Sequence, residues 1–274
     1  MEAPTEPINI DLARTQHNAY VALLRELVPT VIELDAEESL PDCPFIEDTV
    51  VVTHSGAAVV ARPGAPERLG EVKAVAAVLR RLASEGGPNG SSRGSGDIDG
   101  KRPIIKSIHE IIQPGVLDGG DVLQVAGHLL VGLSARTNAA AVDHMRAALS
   151  AVRDSTAVVA LPVPHGLHLK SACSAVDSET LLLADNAAGH AVEAALRERA
   201  PALAEGLRMV YVCDALASNV LRIGGAVVAQ GSETALGALR TLCDERGLVL
   251  RTLPRLTEFE KADGALTCLS VLLP

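Results

Sequence analysis

The sequence has no tryptophan, and only two tyrosines and two phenylalanines among its 274 residues. Nucleic-acid stacking platforms need exposed aromatic rings, so no nucleic-acid partner is expected, and the core has to be built from Leu, Val and Ala. No apolar run reaches the ~18 residues of a spanning helix, so no membrane partner is expected either. The start, MEAPTEPINIDLA, lacks the basic residues and apolar core of a secretory signal. The five cysteines (Cys43, Cys173, Cys213, Cys243 and Cys268) are odd in number, far apart and without a CxxC pair. That pattern reads as reduced thiols in the cytoplasm. Positive charge is also short. A net charge of −10 repels phosphate backbones and favours cationic or small zwitterionic ligands.

What is present is a period. Glu47, Asp118, His168, Asn219 and Cys268 follow one another at steps of 71, 50, 51 and 49 residues, and each opens a β-like apolar run. The long step contains GGPNGSSRGSGDIDG, so an insert at about 85–103 is read as a disordered surface loop. After a first helix from about Asp11 to Leu27, capped by Asn9 or Asp11, the runs follow one order. TVVV–HSGA–AVVAR, DVLQV–AGH–LLVGL, HLKSACSAV–TLLLA and NVLRI–GG–AVVAQ read as hairpins, and helical stripes such as Val72, Val75, Leu79, Leu82 follow them. VIEL (31–34), TAVVAL, RMVYVC and GLVLRTL supply a further strand each, and TCLSVLLP a last one. Strand–turn–strand–helix–strand, repeated about five times, predicts one α/β domain over 1–274 whose units close into a ring. An open α/β sheet has no reason to keep the step.

Such a ring gathers a thiol, a histidine and acids at one end, the set needed for covalent catalysis at an electron-poor carbon. A lone cysteine in an apolar run is most often a small core residue. Cys268, however, opens a repeat behind the polar Asp263-Gly264 and Thr267, whereas the other four thiols read as structural. His168 is the natural partner: its imidazolium favours a thiolate and can protonate a leaving amine. His165 and His168 form an HxxH spacing, a weak metal signal without further ligands. Asp118 could fix the tautomer of His168, or LDGGD could be no more than a turn. Asp42, Glu47, Asp48 and Asp263 make either a negative well suited to a planar guanidinium or a solvated acidic loop. Arg68 and Arg136 lie in matching post-hairpin loops and serve either carboxylate capture or separate surface ion pairs.

ESLPDCPFIEDTVVV, ARPGAPER, LDGGDVL, VGLSARTN, GLHLKS and EKADGALTCLSV, in this order, closely resemble the dimethylarginine dimethylaminohydrolase family of guanidine-modifying enzymes. The resemblance covers nearly the whole chain from Asp11. It implies the pentein fold, a five-bladed α/β propeller of ββαβ units, with the family's N-terminal strand and lid loop missing ahead of the first helix. It also implies Cys268 as nucleophile, His168 as proton shuttle and Asp118 as its orienter. Glu47, Asp48 and Asp263 are then expected on the guanidinium, Asp42 near the amino group, Arg68 and Arg136 on the carboxylate, and Ala262 among the substrate-binding residues. The expected reaction converts an Nω-methylated arginine to citrulline and a methylamine. The resemblance implies no cofactor and no required metal, with zinc on Cys268 only inhibitory, in a monomer or homodimer. An arginine deiminase-like enzyme and a non-catalytic binding scaffold are the competing expectations.

Overall fold

The computed structural model describes residues 6–85 and 104–274. The insert expected at about 85–103 lies outside them, apart from Glu85, which ends a helix. Helix α1 (Ile10–Leu27) comes first, with the Asn9 side chain accepting from the Leu12 N–H as its cap. Four units of one design follow. The first holds β1 (Val50–Val52), β2 (Ala57–Val60), α2 (Val72–Glu85) and β3 (Ser107–Glu110). The second holds β4 (Val122–Val125), β5 (His128–Leu133), α3 (Ala139–Ala151) and β6 (Ala157–Pro162). The third holds β7 (Cys173–Ala175), β8 (Thr180–Ala184), α4 (Ala187–Arg199), α5 (Pro201–Gly206) and β9 (Arg208–Val212). The fourth holds β10 (Leu221–Ile223), β11 (Ala226–Ala229), α6 (Glu233–Glu245) and β12 (Val249–Thr252), and the short α7 (Thr257–Glu260) comes last.

In every unit the second strand is central, antiparallel to the first and parallel to the third. A central strand is covered on both faces, which is why AAVV, TLLLA and AVVA read as continuous apolar runs rather than alternations. Asn138, Asn186 and Ser232 cap the helices of the second, third and fourth units with side-chain oxygens.

No unit owns its core. Val51 and Val59 pack with Val122, Leu129 and Met145 of the second unit. Leu123 and Leu130 then pack with Leu181 and Leu196 of the third, and Leu182 packs with Val227 and Leu239 of the fourth. The fourth unit's Leu221 and Val228 meet Tyr20 and Leu24 of α1 together with Phe259 and Leu269. Val271 and Leu273 finally pack against Val50 and Val60 of the first unit. Each such Leu or Val contributes about 1.5–3 kcal/mol when fully buried. Five seams thus run round a closed ring, and in four of its five positions the expected ββαβ order is present.

The fifth position differs from the sequence expectation. VIEL and TCLSVLLP are not strands: 31–34 has no regular structure, and the second run forms a 3-10 turn, Thr267–Leu269, before an irregular tail. Strand propensity describes a fit to a pleated surface, and neither run meets a ladder partner among the described residues. Side-chain packing holds them instead, through Leu34, Val271 and Leu273. Conversely, β3 is formed by SIHE, which has no apolar alternation and is fixed by its parallel register on β2, Ala57 opposite Ser107. On α1 the buried face is Tyr20, Val21, Leu23 and Leu24, while Leu12 is 40% exposed.

Candidate active site

Each of the five repeat positions lies in or beside a 3-10 turn. Glu47 is in Ile46–Thr49, Asp118 and His168 are the residues before Gly119–Asp121 and Leu169–Ser171, Asn219 follows Ala215–Ser218, and Cys268 is central in Thr267–Leu269. Hydrogen bonds tie these turns into a circle. Asp48 accepts from the Gly120 N–H at 2.9 Å, and Asp121 from the Leu169 N–H at 2.9 Å. Asn219 donates to the Lys170 carbonyl at 3.0 Å and accepts from the Thr267 N–H at 2.9 Å, and the Thr267 hydroxyl donates to Glu47 at 2.9 Å. The turn glycines are required by these approaches. A Cβ on Gly119 would stand 2.0 Å from the Glu47 carbonyl oxygen, and one on Gly120 2.7 Å from His168 Nδ1.

Inside the circle is a small cleft. Asp48, Arg68, Asp118, Arg136, His168, Ala262, Asp263 and Cys268 all line it, with Phe45, Leu167 and Gly264 completing the walls. His168 Nε2 contacts Asp118 Oδ2 at 3.0 Å, and its Nδ1 lies 4.0 Å from Asp48 Oδ1. Burial by itself would lower the imidazole, but the Asp118 contact and the charges of Asp48 and Asp121 outweigh it and raise His168 to about 9. The ring is therefore an imidazolium at neutral pH. Burial pushes the Cys268 thiol well above its ordinary range, and the charges of Glu47 and Asp48 push it further. Its Sγ accepts from the Ala265 N–H at 3.4 Å. Asp263 holds a left-handed backbone (φ 57°) beside the thiol, a strained conformation for a non-glycine residue.

Three of the expected substrate contacts are bonded to the protein or lie off the cleft. Arg68 is 3% exposed; its guanidinium is spent on Asp48 at 2.7 Å, on Glu71 at 2.7 Å and on the Phe45 carbonyl at 3.1 Å. It braces the acid floor and presents no free fork to a carboxylate. Glu47 lies behind the cleft wall, with one oxygen accepting from Lys170 at 2.6 Å and the other from Thr267. Asp42 is half-buried off the cleft, and its carbonyl accepts from Arg68 at 3.5 Å. Arg136 does face the cleft, and its charge also acts on Glu67.

The HxxH pair does not converge, because His165 is exposed while His168 is buried. Asp48, Asp118 and His168 do bring three ligand-type atoms within 4.8 Å of one another. Those atoms already have donors: Arg68 and Gly120 on Asp48, Gly64 N–H and His168 on Asp118. With a guanidinium 2.7 Å away, the trio suits a proton carrier better than a cation cage. Among the other thiols, Cys173 and Cys243 are buried, as core residues should be, while Cys213 is exposed.

Sequence reasoning assigned no role to Asp121, Lys170 and Asn219. Asp121 is fully buried and takes the Ser134 hydroxyl at 2.6 Å besides the Leu169 N–H. All three stand in or next to the motifs LDGGDV, HLKS and ASNV, as polar residues at the head of apolar runs, and that was the available signal. A broader hollow lined by Arg146, Arg153 and Asp154 opens to solvent on the outside and contains none of this chemistry.

A family model described as arginine deiminase matches residues 101–211. The chain is 32% identical to N(G),N(G)-dimethylarginine dimethylaminohydrolase of Streptomyces coelicolor over 270 residues, 98% of this chain and 88% of that protein. It is 33% identical to the enzyme of the same name from Pseudomonas aeruginosa over 172 residues, 63% of this chain and 58% of that one. A crystal structure of a dimethylarginine dimethylaminohydrolase adduct with 4-chloro-2-hydroxymethylpyridine superposes with a TM-score of 0.75 at 24% identity, over 97% of this chain and 93% of that one, and shows the shared fold. The ring of ββαβ units is thus the pentein fold, and with nearly all of the Streptomyces protein matched, this chain belongs to the dimethylarginine dimethylaminohydrolase family.

Proposed function

We infer that this chain hydrolyses an Nω-methylated L-arginine to L-citrulline and methylamine or dimethylamine, through a covalent intermediate on Cys268. The observation that carries the reading is a histidine, His168, held by Asp118 at 3.0 Å in the same cleft as the Cys268 thiol. Asp48 and Asp263 offer carboxylates to the guanidinium, and Arg136 offers a cation to the α-carboxylate. Phe45, Leu167 and Ala262 supply apolar wall for N-methyl groups. Five unpaired cysteines support a cytoplasmic setting.

In the empty site the thiol keeps its proton, because it is buried beside Glu47 and Asp48. A guanidinium beside Asp48 adds positive charge next to the sulfur and favours loss of that proton to solvent. The thiolate adds to the guanidinium carbon. His168 gives the proton on Nδ1, the nitrogen not bonded to Asp118, to the departing amine, and the C–N bond breaks to leave an S-alkylthiouronium. Neutral His168 then takes a proton from water, the hydroxide adds to the same carbon, and the C–S bond breaks as the hydroxyl proton passes to the sulfur, releasing citrulline and restoring the thiol. Asp118 stabilises the imidazolium at both ends of this cycle.

The matched family model makes unmethylated arginine the rival substrate. Citrulline formation is measured with asymmetric dimethylarginine, monomethylarginine, arginine and agmatine, and protein quenched during turnover is mapped by mass spectrometry. The expected result is preference for the methylated substrates and an adduct on Cys268. Faster turnover of arginine moves the chain to deiminase chemistry. No citrulline from any of the four leaves a binding scaffold.

A further inference from the structure

Lys170 lies two residues beyond the catalytic histidine, yet it does not line the cleft. It reaches the segment carrying the nucleophile by two routes. Its ammonium donates to Glu47 Oε1 at 2.6 Å, and Glu47 Oε2 accepts from the Thr267 hydroxyl at 2.9 Å. Its carbonyl accepts from Asn219 Nδ2 at 3.0 Å, and the same amide group donates to Thr267 Oγ1 at 3.1 Å. Lys170, Glu47, Thr267 and Asn219 therefore close a loop, with Thr267 immediately before the thiol. Beyond the thiol, the Tyr20 hydroxyl and the Ser270 hydroxyl are bonded at 2.7 Å. Cys268 is the middle of a segment pinned at both ends.

We propose that Lys170 is a positioning residue: it clamps Glu47, and through Glu47 and Thr267 it holds Cys268 in line with the substrate carbon. This inference rests on the hydrolase reading for its turnover arm alone. Both Glu47 oxygens are committed to the protein, so Glu47 acts as a strut for the thiol and leaves the guanidinium to Asp48 and Asp263. The strut is held most firmly while Glu47 is a carboxylate bonded at both oxygens. Burial pushes it toward the protonated form, and the ammonium at 2.6 Å opposes that. Without Lys170, one Glu47 oxygen loses its partner and the strut to Thr267 is no longer fixed, so the turn Thr267–Leu269 loosens at its first residue.

The test uses Lys170→Met and Lys170→Arg in the full chain, with two readouts. Turnover of asymmetric dimethylarginine gives kcat and KM separately. Iodoacetamide labelling of the substrate-free protein, mapped by mass spectrometry, gives the accessibility of each thiol. The buried Cys173 and Cys243 report whether the fold is intact. For Lys170→Met the expected result is a kcat loss of about 10²-fold with KM within about threefold, the cost of a misplaced reacting group. Cys268 labels faster while Cys173 and Cys243 stay unlabelled, and Lys170→Arg recovers most of kcat. If Lys170→Met raises KM at unchanged kcat, or leaves kcat and Cys268 labelling as in the parent chain, the proposal is wrong. Should Cys173 and Cys243 label as well, Thr267→Val replaces it, cutting the same link without removing a charge and judged by the same outcomes. Should the parent chain make no citrulline, faster Cys268 labelling in the variant still supports the clamp and equal labelling refutes it, so the two failures are separable.

Discussion

His168 Nε2 and Asp118 Oδ2 are 3.0 Å apart, and Asp118 also accepts from the Gly64 N–H at 2.8 Å, so the carboxylate is fixed before it fixes the ring. Asp118→Asn keeps the shape but lets the amide dictate the wrong tautomer. The expected loss in kcat is about 10³–10⁴-fold, with little change in circular dichroism. A loss under tenfold would remove Asp118 from the proton-carrying unit.

The same contact makes stability depend on pH. His168 is raised from 6.5 to about 9 in the folded chain, so the native state holds a proton that the unfolded state gives up. The stabilisation is complete below about pH 6.5 and is lost as pH climbs through about 9. The Cys268 thiol, also held protonated, acts in the same direction at still higher pH. Urea midpoints should fall between about pH 6.5 and about pH 9, and His168→Gln should flatten that fall. An identical slope in the variant would show that another group binds the proton.

Arg68 and Arg136 should separate cleanly. Removing Arg68 strands Asp48 and Glu71, whose side chains are 5% and 2% exposed. Arg68→Met is expected to cost about 3–5 kcal/mol in unfolding free energy. Arg136→Met should change stability by no more than about 0.5 kcal/mol. It should raise KM for the amino acid substrate about tenfold or more and leave a carboxylate-free analogue unaffected. Equal destabilisation by both would contradict this division.

Gly120→Ala places a methyl 2.7 Å from His168 Nδ1 and 2.9 Å from Asp48 Oδ1. The ring has to give way, so kcat should fall about 10²-fold, at an overpacking cost of about 1–3 kcal/mol. Gly119→Ala meets a backbone carbonyl at 2.0 Å instead and should not yield folded protein. Steady-state rates and thermal melts distinguish the two.

Much of this was legible because it is local. The steps of 49–51 residues mark the 3-10 turns, and hairpins such as DVLQV–AGH–LLVGL have strand runs on either side of a short turn. The rest depends on partners far away in sequence. VIEL and TCLSVLLP have strand composition but no ladder partner among the described residues, whereas SIHE lacks the pattern and gains its partner from β2. Arg68 and Glu47 carry the charges expected of ligand contacts; what turns them inward is Glu71 three residues on, and Lys170 123 residues on. Residue type told which groups would be present, and only the packing told which were already spoken for.

Every apolar seam in this molecule is shared between neighbouring units, from Val59 against Leu129 round to Val271 against Val50. A lost methyl at one joint therefore loosens two units, and no unit can melt while its neighbours stay whole. Catalysis, seated where the 3-10 turns of the ring meet, should fail at the same temperature as the scaffold, in one all-or-none transition.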